Sequence, residues 1–310
     1  MTKVLVTGGS GFIGSHLVDS LAEKGYDTRV MDRHPPKNEN VEWSDGDLRW
    51  MGDCDKATKD VDVVFHLAAR ISVDESLDYV WHYFNDNYLT TVNLCSASLK
   101  NKIKRLIFAS SCEVYGDINE GMVGDENQPC DPISPYAASK YASERAAVAF
   151  CQSFALPLTV IRAFNTFGER QRPFRAGSVI PTFILMALQN KNINIHGDGN
   201  QVRDYTYVKD VVDAYLLSLE KNLGDLEIFN IASGIPRTVN EIAHKVINHS
   251  ESKSKITYAD DPRGKAQIRR SVGCAEKARK VLGWKPKYDF DESLKGVIKY
   301  YKNLSPRRLL

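Results

Sequence analysis

KVLVTGGSGFIG, residues 3–14, is the stretch of this 310-residue chain that decides the fold. A short apolar run, Val4 to Thr7, is followed directly by glycines at positions 8, 11 and 14, and a predicted helix opens there. Such a loop lets the backbone approach a pyrophosphate, which then lies at the positive end of the helix. Asp32 ends the second predicted strand, 18 residues after Gly14. Its carboxylate would accept hydrogen bonds from an adenosine ribose and repel a 2′-phosphate, which predicts NAD rather than NADP.

Outward from this motif, apolar runs of strand length alternate with helix-length stretches, which is typical of βαβ units on a parallel sheet. The predicted strands are 4–7, 28–31, 61–67, 105–110 and 158–163, and the predicted helices are about 14–24, 87–100 and 136–154. The strand runs are mostly continuous and apolar, as expected where both faces of a sheet are covered. We therefore predict an α/β fold with a Rossmann-like, doubly wound parallel sheet.

After Asn165 the apolar runs are interrupted by several glycines and prolines. This change predicts a second, smaller C-terminal α/β lobe. The apolar strand predicted at 228–232 and the helix predicted at 210–219 are expected to return to the first sheet, so that the two lobes are interleaved. Residues 1–165 are assigned to the dinucleotide-binding domain, and residues 207–232 are expected to return to it. Residues 166–206 and 233–310 are assigned to the substrate lobe.

Composition and charge exclude several classes of protein. Hydrophobic residues make up 43% of the chain and charged residues 26%, which is ordinary for a globular protein. The net charge of +2 is too small for a general nucleic-acid binder. Apolar runs are too short to cross a bilayer, and no secretory leader is apparent. The six cysteines show no Cys-x-x-Cys spacing, so we expect free thiols, a cytoplasmic protein and no catalytic metal.

Tyr136 and Lys140 are four residues apart on a predicted helix, so they share one face. The phenol of a free tyrosine has a pKa of about 10, and a nearby ammonium lowers that pKa by stabilising the phenolate. The pair therefore predicts a tyrosine that acts as a base near neutral pH. The segment SSCEVYG, residues 110–116, lies at the end of a predicted parallel strand, where open α/β sheets bind ligands.

Six motifs follow one another along the chain: GGSGFIG (8–14), HLAA (66–69), SSCEVYG (110–116), SPYAASK (134–140), RAFNTFG (162–168) and GDGNQVRDYTYVKDV (197–211). Together they resemble the extended short-chain dehydrogenase/reductase family, and within it the nucleotide-sugar epimerases and dehydratases. The resemblance covers nearly the whole chain.

The resemblance implies that Ser111, Tyr136 and Lys140 form a catalytic triad. Tyr136 would take the proton from the sugar 4-hydroxyl while hydride passes from C4 to the nicotinamide. Lys140 would bind the nicotinamide ribose and lower the pKa of Tyr136, and Ser111 would hold the substrate oxygen. His66 is interpreted as a packed histidine near the cofactor rather than as a catalyst.

The resemblance also implies NAD as cofactor and a nucleotide-diphosphate sugar, usually UDP-linked, as substrate. The residues expected to hold NAD are Gly8, Gly11, Phe12, Ile13, Gly14, Asp32, Asp47, Leu48, Leu67, Ala68, Ala69, Asn87, Ser110, Tyr136 and Lys140. Asp47 and Leu48 would meet the adenine. Asn165, Arg203 and Arg263 fall where relatives hold the nucleotide diphosphate, a role suited to guanidinium groups.

Cys112 and Glu113 bear on the reaction type. In 4-epimerases the position of Glu113 usually carries a small neutral or hydroxyl residue, whereas 4,6-dehydratases have a glutamate there. A 4-ketone acidifies the C5 hydrogen, and that carboxylate can remove it as the 6-hydroxyl leaves. Cys112 stands where the common dehydratase pattern has an aspartic acid that protonates the leaving hydroxyl, and a thiol can also donate a proton. The Cys-Glu pair resembles a smaller group of UDP-hexosamine dehydratases, some of which leave a 5,6-ene.

We therefore predict a UDP-hexose or UDP-hexosamine dehydratase that carries out 4,6- or 5,6-dehydration. A 4-epimerase using the same tyrosine, lysine and NAD is the alternative, and a UDP-glucuronate decarboxylase is the third choice. A non-catalytic NAD-sensing protein is disfavoured because it would need no catalytic triad. The resemblance further implies a homodimer through helices 87–100 and 136–154. The low net charge and the short apolar runs predict neither nucleic acid nor a membrane as partner. The segment 169–177, with Arg170, Arg172 and Arg175, is expected to shape the substrate lobe.

Overall fold

The computed structural model of the protein describes residues 2–174 and 178–304. Its strands, in chain order, are β1 (Lys3–Thr7), β2 (Asp27–Asp32), β3 (Glu42–Asp45), β4 (Val63–His66), β5 (Arg105–Ser111), β6 (Leu158–Ala163), β7 (Asn165–Phe167), β8 (Ile193–His196), β9 (Val202–Tyr207), β10 (Leu226–Ile231), β11 (Pro236–Thr238), β12 (Ile256–Ala259) and β13 (Arg270–Ser271).

Its helices are α1 (Phe12–Glu23), α2 (Met51–Thr58), α3 (Val73–Asp78), α4 (Val80–Tyr83), α5 (Thr90–Lys100), α6 (Pro135–Phe154), α7 (Val179–Leu188), α8 (Val208–Glu220), α9 (Val239–His249), α10 (Glu276–Val281) and α11 (Phe290–Lys302). A π-helical segment, Phe84–Leu89, leads into α5, and 3₁₀ turns span Cys112–Tyr115 and Gly264–Ala266. Within the described ranges, no helix is both long and apolar enough to cross a membrane.

The central sheet of the described chain has seven strands in the order β10-β6-β5-β4-β1-β2-β3, and each neighbouring pair is parallel. The strand order reverses between β1 and β4, because the chain crosses from the β3 edge back to the middle of the sheet. Ligands of such sheets bind outside the carboxyl ends of the strands at this reversal. The predicted Rossmann-like α/β fold is confirmed.

Both faces of the sheet are covered. Side chains alternate along each strand, so Val4 and Val6 face one side while Leu5 faces the other. Helices α1 and α8 pack on the first face, and α2, α5 and α6 pack on the second. This double burial is the reason that the strands read as continuous apolar runs.

The predicted elements differ from the observed ones at the sheet edge and at one helix start. β3 was not predicted, since Glu42 to Asp45 contains no apolar run and lies at the edge of the sheet. The helix predicted at 87–100 begins as an α-helix only at Thr90, because the preceding turn is π-helical.

The segments after β6 form smaller sheets beside the cleft. β11, β9 and β13 are adjacent, β7 also pairs with β9, and β8 pairs with β12. β10 instead joins the central sheet beside β6. The position of the boundary between the two lobes stays a prediction.

Candidate active site

A cleft of about 420 Å³ opens at the carboxyl ends of the central strands. It brings together most of the residues that the sequence nominated for the site. These are Gly8, Gly11, Phe12, Ile13, Gly14, Asp32, Asp47, Leu48, Leu67, Ala68, Ala69, Ser110, Ser111, Cys112, Glu113, Tyr136, Lys140 and Asn165. Asn87, Arg203 and Arg263 do not line it.

The glycine-rich loop has the shape that a pyrophosphate requires. Gly8 has a φ of +71°, and a Cβ on Gly11 would lie 3.1 Å from the carbonyl oxygen of Gly8. Helix α1 starts after Gly11 without a side-chain cap, so amides of its first turn are available to an anion. Asp32 lies at the end of β2, where its carboxylate accepts hydrogen bonds from the amides of Ser10 and His34. These residues fit a bound dinucleotide.

Asp47 and Leu48 lie on the cleft wall beyond Asp32, where adenine was expected. The hydrogen bond from the Arg49 guanidinium, at 2.6 Å, holds the pKa of Asp47 below its usual range. The Asp47 amide donates to the Asp53 carboxylate at 2.9 Å, which fixes the turn before α2.

The proposed catalytic tyrosine and lysine are set by the start of helix α6. Ser134 caps the helix by accepting a hydrogen bond from the Ala137 amide, so that Tyr136 and Lys140 share the face turned to β5. Lys140 Nζ donates to the carbonyl of Ala109 at 2.6 Å. Burial lowers the pKa of Lys140 to about 8.

The electrostatics of Tyr136 differ from the expectation. Burial raises the pKa of Tyr136, and a hydrogen bond with Ser111 opposes that rise only in part. The sequence pattern predicted a lowered pKa, because it showed the neighbouring lysine but not the depth of burial. The Lys140 ammonium in this structure ends at a main-chain carbonyl.

Cys112 and Glu113 form a 3₁₀ turn directly after β5, and the Ser111 hydroxyl caps it by accepting from the Glu113 amide at 3.2 Å. Burial raises the pKa of the Cys112 thiol to about 12. Burial also raises the pKa of Glu113, while Arg203 and Arg263 oppose the rise. Within residues 2–174 and 178–304, no hydrogen bond is made by the Glu113 carboxylate, which faces the cleft.

The two predicted diphosphate arginines are not among the residues that line the cleft. Arg203 donates to the carbonyls of Val202 and Ile268. Arg263 forks onto Asp261 with distances of 2.9 and 2.7 Å. Both are close enough for their positive charge to lower the pKa of the Glu113 carboxyl, which faces the cleft.

The two predicted asparagines have different surroundings. Asn165 lines the cleft, and its buried Nδ2 has no partner among the described residues, so it is free to donate to a ligand. Asn87 instead accepts from the Arg70 amide at 2.7 Å and donates to Ser139 Oγ at 2.9 Å. Its side chain therefore fixes the main chain of the loop that follows β4.

Two arginines on the cleft wall are not among the predicted site residues, and a glutamine that also lines the cleft lies within the predicted segment 169–177. Arg49, Arg70 and Gln171 lie on the cleft wall, and Gln171 Oε1 is buried without a partner in the described structure. No local pattern distinguishes such arginines from solvated surface charges, whereas Gln171 belongs to the segment 169–177 that is expected to shape the substrate lobe. Arg175, named with the same segment, lies outside the described residues.

Comparison with known proteins gives the family. The model of the NAD-dependent epimerase/dehydratase family matches residues 4–232. The chain belongs to this family. A putative UDP-glucose 4-epimerase of Methanocaldococcus jannaschii is 39% identical over 97% of this chain and 98% of that protein. The dTDP-D-glucose 4,6-dehydratase of Bos taurus is 31% identical over 97% of this chain and 88% of its own length.

A solved structure is similar over the full chain. The UDP-glucose 4-epimerase of Thermus thermophilus, solved in complex with NAD, has a TM-score of 0.92 and 31% identity, covering 98% of this chain and 100% of that one. The family resemblance and NAD as the cofactor are thereby confirmed, and the glycine loop and Asp32 described above fit that cofactor. The protein is an enzyme of nucleotide-sugar epimerase, dehydratase or decarboxylase type.

Proposed function

We propose that the protein is an NAD-dependent dehydratase of a UDP-hexose or UDP-hexosamine, acting through a 4-keto intermediate. The observation that carries the proposal is the Glu113 carboxylate, which faces the cleft without a hydrogen bond in the described structure. It lies in the turn that Ser111 caps, and Ser111 is hydrogen-bonded to Tyr136. An epimerase needs no second base at this point.

The first step is oxidation at the sugar C4. Bound NAD supplies the reversible oxidation, and Tyr136 takes the proton of the 4-hydroxyl. Ser111 holds the same oxygen by hydrogen bonding, and the Lys140 ammonium stabilises the phenolate that the step requires.

Elimination follows from the acidity that the ketone gives to C5. Glu113 takes the C5 proton, the electron pair left on C5 forms the C5–C6 double bond, and the C6–O6 bond breaks. O6 accepts a proton and leaves as water. The hydride taken from C4 is then returned to the sugar, either to C6 while C5 takes up a proton (4,6-dehydration) or to C4 while Tyr136 gives its proton back to O4 (5,6-dehydration). The net change in either case is the loss of one water. Burial raises the pKa of Cys112 to about 12, which makes its thiol a weak donor. The acid form of Glu113 is the stronger acid, so we assign the proton for O6 to Glu113, with Cys112 as the alternative donor.

Mass spectrometry of products tests the proposal. The purified protein is incubated with UDP-GlcNAc, UDP-glucose and UDP-glucuronate without added reductant, and loss of one water is expected from one of the first two. Glu113→Gln should abolish that product while the absorbance of reduced nicotinamide still rises on adding substrate. Cys112→Ala is the matched comparison and should retain dehydration. Normal turnover by Glu113→Gln would remove Glu113 as the C5 base.

A 4-epimerase is the second candidate, favoured by the 39% identity with the putative UDP-glucose 4-epimerase of M. jannaschii. It would use Tyr136 and Lys140 in the same way, and the ketone would rotate before it is reduced on its other face. The product would have the mass of the substrate but a new retention time. Loss of carbon dioxide from UDP-glucuronate would identify the third candidate, a decarboxylase.

We further propose that two copies associate through helices α5 and α6. Ala142, Ala146 and Ala149 lie on one partly exposed face of α6, where small side chains permit close approach. Leu89 and Phe154 add exposed apolar surface at the ends of the two helices. Such a surface is typical of a helix-packing interface.

A further inference from the structure

Glu144 continues the face of helix α6 that carries the proposed catalytic pair. Tyr136, Lys140 and Glu144 are spaced four residues apart, so each lies one turn beyond the last. Tyr136 and Lys140 line the cleft, whereas Glu144 is completely buried beneath it. A fully buried carboxylate is rare unless it is paired and hydrogen-bonded.

The carboxylate of Glu144 connects the helix to two strands of the central sheet. One oxygen accepts hydrogen bonds from Ser110 Oγ at 2.6 Å and Arg162 Nε at 3.0 Å, and the other accepts from Arg162 Nη2 at 2.5 Å. Ser110 and Arg162 are register partners on β5 and β6. Ser111, the hydrogen-bond partner of Tyr136, is the next residue on β5.

Arg162 extends these contacts away from the cleft. Its Nη1 donates to the Tyr115 hydroxyl at 2.8 Å, and that hydroxyl donates to Asn230 Oδ1 at 2.8 Å. The chain of bonds therefore spans α6, β5, β6 and β10, and it fixes the depth of α6 relative to the end of the sheet. A buried polar network that is fully satisfied makes its surroundings rigid.

Glu144 also affects the charge of Lys140. Burial lowers the pKa of Lys140 to about 8, and the negative charge of Glu144 opposes that fall. Other titratable groups around the Tyr136–Lys140 pair come from several elements: His66 from β4, Tyr83 from α4, Cys112 and Glu113 from the turn after β5, Arg162 from β6 and Tyr215 from α8. His66 is neutral, because burial lowers its pKa to about 3.

We propose that Glu144 is a positioning residue for the Tyr136–Lys140 pair: it sets the depth of helix α6 against Ser110 and keeps the Lys140 side chain an ammonium at neutral pH. The inference rests on the proposed role of Lys140 in stabilising the Tyr136 phenolate. Arg162 balances the carboxylate, so that a negative charge can remain buried beneath the cleft.

The direct test is the pKa of Lys140, measured without substrate. The rate at which acetic anhydride acetylates Lys140 is followed against pH by peptide mass spectrometry in the full-length protein. Glu144→Gln should lower the pKa of Lys140 by about one unit, so that acetylation at neutral pH rises several-fold, by roughly 3- to 10-fold. Glu276→Gln is the matched control, because it removes the same charge from an exposed pair with Lys280 and should leave the rate unchanged.

A second variant is needed in case Glu144→Gln does not fold, because that substitution leaves the Arg162 charge buried and unpaired. Glu144→Gln/Arg162→Met removes both charges, and it should still lower the pKa of Lys140, though by less. An unchanged pKa in either folded variant overturns the proposal.

The pH dependence of C4 oxidation is the second readout. Glu144→Gln should move the alkaline limb of this pH profile to lower pH, so that activity lost at roughly pH 8 is partly regained at roughly pH 6, one unit on either side of neutrality. A merely structural residue would lower the rate equally at every pH. Because the acetylation experiment needs neither NAD nor sugar, it can succeed even if no dehydratase activity is found, and the two proposals fail independently.

Discussion

The amide of Ala68 occupies the space that a side chain on Gly8 would need. A Cβ added to Gly8 would lie 2.7 Å from Ala68 N and 2.8 Å from Ala68 Cα. Gly8 follows β1 and Ala68 follows β4, the two strands between which the order of the sheet reverses. The φ of Gly8, +71°, lies in the left-handed region that favours glycine. The close approach of these two loops therefore builds the floor of the pyrophosphate site.

Gly8→Ala should weaken NAD binding and destabilise the fold, because the new methyl group pushes the two loops apart. We expect the dissociation constant for NAD to rise at least ten-fold, equivalent to about 1.4 kcal/mol. The free energy of unfolding should fall by about 2–3 kcal/mol. Isothermal titration with NAD and urea unfolding measure the two effects.

Gly25→Ala is the matched control for Gly8→Ala. Gly25 has a φ of +80°, but no atom lies within 4 Å of its added Cβ. Gly25→Ala should lower the free energy of unfolding by about 1 kcal/mol, the cost of an alanine at a positive φ, and should leave the affinity for NAD unchanged. Wild-type NAD binding by Gly8→Ala would contradict the close-approach argument.

The cofactor half of the cleft could be predicted from sequence because its chemistry is local. The glycine loop follows one strand directly and Asp32 ends the next, so a short stretch of chain specifies both partners of a dinucleotide. Asn87 illustrates the limit. Its hydrogen bond with the Arg70 amide depends on the π-helical turn Phe84–Leu89, which no pattern in the sequence predicts.

The charge state of the catalytic groups could not be predicted, because burial decides it. Tyr136 and Lys140 share one face of α6, as their spacing predicts, but the sequence does not show that burial raises the pKa of Tyr136 and so opposes the effect expected of the lysine. Glu144 was missed for the same reason: a glutamate on a helix usually lies in solvent, and its contacts with Ser110 and Arg162 appear only once the strands are assembled.

The buried His66 should make stability fall in mild acid. Its ring is hydrogen-bonded to Thr7 and Thr91, and burial lowers its pKa to about 3. In the unfolded chain a histidine has a pKa of about 6.5. Between the two pKa values the unfolded chain therefore binds a proton at this histidine and the folded protein does not. Stability due to this group is complete above pH of about 6.5 and is lost as pH falls, by about 2 kcal/mol at pH 5.

Urea unfolding between pH 7.5 and pH 5 checks this sign. His66→Gln should be less stable than the wild type at the higher pH, yet should lose about 2 kcal/mol less on acidification. His244→Gln, on the exposed face of α9, should lose as much as the wild type. If the free energy of unfolding changed with pH in the same way in the wild type and in His66→Gln, His66 would contribute nothing to the pH dependence of stability.

Ala146→Arg should convert the proposed dimer to a monomer. The residue lies in the middle of the partly exposed face of α6, where a long charged side chain would prevent close packing of two helices. Size-exclusion chromatography with light scattering gives the mass in solution. Val281→Arg introduces the same side chain at an exposed apolar position on α10 and should leave the mass unchanged. A wild-type protein that is already monomeric would exclude the interface.

Arg263→Gln should weaken binding of UDP while leaving NAD affinity intact. The guanidinium is hydrogen-bonded to both carboxylate oxygens of Asp261, with its Nε 3.7 Å from Asp74, and its charge acts on Glu113, which faces the cleft. Losing charged hydrogen bonds to a diphosphate costs about 1.5–3 kcal/mol, which corresponds to a rise in the UDP dissociation constant of roughly 10- to 150-fold. Arg263→Lys should recover only part of this loss, because a lysine cannot reproduce the fork. Arg269→Gln, at an exposed pair with Asp198, is the control, and equal UDP affinity in Arg263→Gln and Arg269→Gln would remove Arg263 from the diphosphate site.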